Sequence, residues 1–149
     1  MPTSTRFRKV DLRPLVRSAF LDLQPQFSPD GARIAFVSAR AGGISEIWLA
    51  DADGANPVRV TRGPGNQQGY PGWSPDGRTI VFDSRAENGH VDIWTIDASG
   101  SGLRQITRDP ADDILPSFSR DGNHIYFSSN RTGRLEIWRT PTFGGRDES

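Results

Sequence analysis

Short runs rich in β-branched and aromatic residues recur along the chain, each closed by a turn-forming cluster. Residues 33–38, 78–83 and 124–129 form one set, and residues 44–50, 91–96 and 135–140 form a second. A third set, 57–61 and 103–107, has only two members. Helical periodicity is absent throughout, so the pattern predicts short strands joined by tight turns. The turns carry their own chemistry. In the Ser-Pro-Asp-Gly segments at 28–31 and 74–77, proline presets φ, aspartate bonds to nearby backbone and glycine accepts positive φ. The copy at 119–122 keeps the serine, aspartate and glycine but has Arg120 in place of proline.

The strands and turns fall into three copies of one unit. Pro25, Pro71 and Pro116 open the copies, and Trp48, Trp94 and Trp138 recur 46 and then 44 residues apart. A fixed period in this range marks an architecture whose unit cannot bury its own faces and must stack on its neighbours. Four antiparallel strands in a unit of about 45 residues is the signature of a β-propeller blade. The expected fold class is therefore all-β, with three four-stranded antiparallel blades per chain forming half of a six-bladed ring. The 1–149 segment reads as a single propeller segment, with blades at about 22–61, 68–107 and 113–145.

The shared pattern is P-x-[FW]-S-P-D-G, then I-x-F-x-S, an arginine before a glycine turn, [DE]-I-W and D-x-x-G. It closely resembles the TolB-type (WD-repeat-like) β-propeller repeat over about residues 15–145. The resemblance implies a protein-interaction scaffold that binds protein or peptide partners.

The third copy lacks a last strand. Val60 and Ile106 follow their turn glycines by six residues, whereas Gly144 is followed by nothing apolar. Residues 13–18, with Pro14, Leu15, Val16, Arg17 and Ser18, read as a fourth strand with no blade of its own. They are expected to complete the third blade of a second copy, so that a homodimer closes the ring and covers two open blade faces. The alternative is that the chain is a fragment of a longer propeller.

Composition narrows the chemistry. Eighteen basic and eighteen acidic residues cancel, which gives no field favouring nucleic acid. No run approaches a membrane span, so no membrane insertion is expected, and the opening residues carry no secretory signal. The compartment is left open: cytoplasmic as the chain stands, periplasmic if a signal was removed. The absence of cysteine removes disulfides and thiolate catalysis. No nucleophile elbow appears, His90 and His124 occupy unrelated repeat positions, and the 51–54 turn lacks the ligand set of a calcium loop. The expectation is a protein that is not an enzyme and has no cofactor and no metal.

Arg40, Arg85 and Arg131 beside the second turn are expected to pair with Glu46, Asp92 and Glu136, and the three repeat tryptophans to pack between blades. Recognition is assigned to the loops that differ between copies, entering each first strand. There Asp22, Gln68, Tyr70, Asp109, Asp112 and Asp113 are the partner-binding candidates at the channel mouth, where a ring of carboxylates would suit a cationic peptide or a cation. Two function classes follow: a non-catalytic scaffold binding protein or peptide partners, or a ligand- or signal-sensing module of a larger protein. A repeat piece with no role beyond assembly is a third.

Overall fold

The computed structural model describes residues 11–143, and all regular structure within them is strand. Eleven strands form three antiparallel sheets. The first holds β1 (Asp22–Phe27), β2 (Arg33–Ser38), β3 (Glu46–Asp51) and β4 (Val58–Arg59), in that order. The second holds β5 (Gln67–Trp73), β6 (Thr79–Arg85), β7 (Val91–Asp97) and β8 (Arg104–Gln105). The third has β9 (Asp113–Phe118), β10 (His124–Ser129) and β11 (Glu136–Pro141), with no fourth strand among the described residues. The expected third-blade boundary at 145 lies outside the described residues.

The turn chemistry repeats faithfully. Ser28 Oγ donates to Asp30 at 2.6 Å and Gly31 N to Ser28 O at 2.8 Å. The turns at Ser74 and Ser119 make the same bonds, and Gly31, Gly77 and Gly122 all have φ near +70°. Arg120 changes nothing, because that turn position takes most residues once φ is near −60°.

Stacking the apolar faces of neighbouring sheets makes the core. Ala35, Val37, Ile47 and Leu49 of the first blade pack on Ile80, Phe82 and Ile96 of the second, with Trp94 against them. Val81 and Ile93 on the opposite face of the second blade pack on Ile125 and Phe127 of the third, with Trp138 against them. Trp94 and Trp138 thus lie between blades, as the repeat predicts. Trp48 lies with Ile34, Phe36 and Ala50 on the face of the first blade that no other blade covers.

Residues 13–18 pair with no strand among the described residues, so the expected strand is not formed within the chain. They lie instead on that uncovered face. Val16 packs against the Ile34, Phe36 and Ala50 cluster, as Val60 packs on the second blade and Ile106 on the third. A Cβ on Gly54 would stand 2.1 Å from the Leu15 carbonyl oxygen, so only glycine admits the segment so close. The cover is partial: an apolar cavity of about 330 Å³ remains between Leu15, Val16, Phe27, Ile34 and Phe36. At the other end of the stack, Tyr126, Leu135 and Ile137 are exposed.

Every inner strand is bulged at one place. The register slips across Gln24, Tyr70 and Leu115, which have φ of 55°, 51° and 57° and precede the repeat prolines. Left-handed backbone at a residue with a side chain costs on the order of 1 kcal/mol, so three such residues need compensation. Part of it comes from the neighbouring blade: Tyr70 N donates to Gln24 Oε1 at 2.6 Å, and Leu115 N to Asp83 Oδ2 at 3.0 Å.

Stacking makes one repeat position a direct test of blade burial. Ile93 is fully buried and Ile137 is 74% exposed. Ile93→Ala should cost about 2–5 kcal/mol in urea denaturation, and Ile137→Ala under about 0.5 kcal/mol wherever that face stays open to water.

Candidate functional site

The mouth residues singled out from the sequence divide sharply by environment. Asp22 is held by Arg40 at 2.8 Å, from two residues beyond the end of β2. Burial opposes its charge, but hydrogen bonding to Arg40, Ser38 and Ser18 outweighs that and holds the carboxyl below its ordinary range. Asp113 is fully buried and takes two bonds from Arg131, at 3.0 and 3.1 Å. Gln68 is 1% exposed and is bonded to Thr61 Oγ1 and the Pro64 carbonyl. These three groups face inward. The expected ring of open carboxylates does not form from Asp22 and Asp113, because each is spent on an arginine of its own blade.

Asp109 and Asp112 are more open. Asp109 still meets Arg131 at 2.9 Å. Asp112 Oδ1 accepts the Val91 amide at 3.1 Å and lies 3.8 Å from His90 Nδ1. Tyr70 is 47% exposed. Of the six residues, Tyr70, Asp109 and Asp112 reach the surface.

The arginine pairing expected with the third strand is also corrected. Arg40 and Arg131 reach back to β1 and β9, and their guanidinium groups lie 5.1 Å over Trp48 and 4.7 Å over Trp138. Glu46 pairs with Arg59, Asp92 accepts Gln105 at 3.2 Å, and Glu136 accepts the Thr132 hydroxyl at 2.7 Å. Burial, with the charges of Asp113 and Asp109, raises the Asp92 carboxyl.

The second blade departs from this scheme. Arginine stands two residues after Ser38 and Ser129 but one residue after Ser84. One step along a strand reverses the side chain, so Arg85 points to the other face and its blade has no Arg–Asp clamp. Arg85 Nη1 donates to the Gly89 carbonyl instead. Asp83, two residues earlier, shares that face and stands where the other blades have Val37 and Ser128.

Sequence reading missed Asp83. It is 7% exposed, and burial pushes its carboxyl up to about 6, against lowering by the Leu115 amide and the Arg85 charge. The signal was present: Asp83 is the acid at a repeat position that holds valine and serine in the other copies.

Asp83 borders a cavity of about 380 Å³ to which all three blades contribute, with Leu23 and Val37, Gly69, Tyr70 and Arg85, and Ile114 and Leu115 among its walls. A second concavity, of about 410 Å³, runs along the three bulges, where Gln24-Pro25, Tyr70-Pro71 and Leu115-Pro116 stand side by side. No group of three or more His, Cys, Asp or Glu among the described residues could hold a metal. No helix among them is long and apolar enough to cross a membrane.

Because the folded-state value for Asp83 lies above the ordinary 3.8, its charge opposes folding. Stability from this group is fullest below about pH 4 and declines as pH rises toward 6. Asp83→Asn, which keeps an acceptor for Leu115 N, should raise stability at pH 8 by on the order of 2–3 kcal/mol. Denaturation midpoints should converge with those of the unaltered chain as pH falls toward 4.

A family model described as the TolB beta propeller domain matches residues 10–149. A structure assigned as TolB from Agrobacterium tumefaciens is 32% identical, with a TM-score of 0.75 over 83% of this chain and 43% of that one. TolB from Acinetobacter baumannii is 29% identical, with a TM-score of 0.74 over 89% of this chain and 32% of that one. The chain therefore spans less than half the length of either. A puromycin hydrolase also aligns, at 17% identity and a TM-score of 0.74 over 90% of this chain and 24% of that one, a likeness of fold alone. With three blades in repeat register and a family match over nearly its whole length, the chain belongs to the TolB beta propeller domain family.

Proposed function

We propose that this chain is a non-catalytic propeller scaffold for protein or peptide partners, and that two copies close head to tail into a six-bladed ring. The observation that carries the ring is the seat of Val16. It occupies, on the first blade, the place that Val60 takes on the second and Ile106 on the third. Residues 13–18 therefore hold the position of an outer strand whose blade is missing. The third blade, in turn, ends in β11 with no fourth strand beside it among the described residues.

The faces to be joined match in kind. Phe27, 57% exposed, with Ile34, Phe36 and Trp48 forms one; Tyr126 and Ile137 are on the other. Their mutual burial stabilises at about 25 cal/mol per Å² of apolar surface, and pairing β11 with residues 13–18 adds backbone hydrogen bonds worth about 1 kcal/mol each. A heterologous joint that closes after two copies leaves no open end.

Partner binding is assigned to the side on which Tyr70, Asp109 and Asp112 are exposed and to the concavity along the bulges. Tyr70 and Leu115, each nearly half exposed, give that groove apolar grip, and the prolines remove competing donors. The likeness to TolB structures supports a scaffold reading. Their greater length also favours a second reading, in which further blades of a longer chain close the ring.

Light scattering distinguishes the two. A homodimer gives twice the 16.4 kDa chain mass, and Ile137→Glu should return it to monomer without loss of strand signal in circular dichroism. A monomer for the unaltered chain at micromolar concentration overturns the two-copy ring.

A further inference from the structure

The cavity beside Asp83 has a chemistry that neither blade stacking nor ring closure requires. Asp83 is more than nine-tenths buried, and its single hydrogen bond among the described residues uses Oδ2. Oδ1 faces Gly69, where a Cβ would come within 3.2 Å of it. The equivalent positions carry Leu23 and Ile114, so glycine here is what keeps a buried carboxylate open to a cavity instead of pressed against a side chain.

Three further departures fall in the same blade. Gln68 replaces the aspartate of the clamp, Ala86 replaces its arginine, and Arg85 is turned onto the Asp83 face. Arg85 makes no ion pair among the described residues and lines the same cavity. Asp83 and Arg85 stand two apart on β6, with Cα atoms about 6.6 Å apart. The apolar part of the lining is Leu23, Val37, Val91, Ile114 and Leu115; Gln24, Ser45, Gln67 and Gln68 add neutral polar groups, and Tyr70 is the other titratable group.

We propose that this cavity binds an α-amino acid with an apolar side chain, its ammonium on Asp83, its carboxylate on Arg85 and its side chain among the leucine, valine and isoleucine walls. Two opposite charges carried two residues apart on one strand, at the edge of a cavity with an apolar wall, fit a zwitterion better than a simple cation or anion. The ammonium supplies a hydrogen-bonded counter-charge for the buried carboxylate, and Arg85, which is bonded to the Gly89 carbonyl through Nη1 but makes no ion pair among the described residues, supplies directionality. The site is built within one chain, so it holds or fails independently of the ring.

The probe is L-leucine, followed by amide chemical shifts of the intact chain at pH 7.5. Saturable shifts at Gly69, Asp83 and Leu115 are expected. N-acetyl-L-leucine, which has no ammonium, and L-leucinamide, which has no carboxylate, should each bind at least about tenfold more weakly, a difference of one decade in Kd. Asp83→Asn should remove the preference for L-leucine over the acetylated analogue, and Arg85→Gln the preference over the amide. Affinity for L-leucine should fall as pH drops below 6, while Arg85 stays charged throughout. No saturable shift up to about 10 mM, a limit weaker than any millimolar site, overturns the proposal. Equal binding of all three probes also overturns it, leaving a cavity without charge selection.

Discussion

Burial between neighbouring blades is the constraint on which everything else rests. No sheet here covers either of its own faces, so each blade depends on a neighbouring blade for burial. The side chains divide accordingly: one face of each blade carries Ile-x-Phe and the tryptophan, and the other carries the residues that receive them. The receiving face loses apolar character along the chain, from Ala35, Val37, Ile47 and Leu49 to Val81 and Ile93 with Asp83 among them, and then to Tyr126 and Ile137 beside Ser128 and Arg139. The giving face changes far less. An arc built this way presents a strongly apolar surface at its first blade and an amphipathic one at its last.

Much of the fold was legible because the unit is written three times. A single Ser-Pro-Asp-Gly turn is weak, but its recurrence with the tryptophan fixes strand order and blade size, and the turns form as their residues dictate. The fourth strands were overdrawn: β4 and β8 hold two residues each, because Val60 and Thr61 both turn their amides to the Ile47 carbonyl and Ile106 and Thr107 to that of Ile93. Period and register were visible; where the ladder gives out was not.

The site was less legible, and the reason is physical. Carboxylates near a predicted rim look available in a sequence, yet Asp22 and Asp113 lie beside arginines 18 positions away in the chain. The one-residue shift of Arg85 relative to Arg40 and Arg131 is hidden by the shared Arg-before-glycine-turn pattern. In a repeat protein, information about function concentrates where one copy breaks the rule. The second blade breaks it at Gln68, Gly69, Asp83 and Arg85 together.

The strained inner bulges bear on how such a chain can evolve. The amide of each bulge in the second and third blades is satisfied by a side chain of the blade before it, but by a different one each time: glutamine from the bulge of the first blade, aspartate from the second strand of the second. The third blade offers Leu115 and Ser128 at those two places. Copies that look interchangeable in the period are therefore not interchangeable as neighbours. Exchanging or duplicating a blade would leave a bulge amide without its side-chain acceptor. Blade order is thus an inherited property of the chain, and lengthening the array requires a matched pair of substitutions at every new seam.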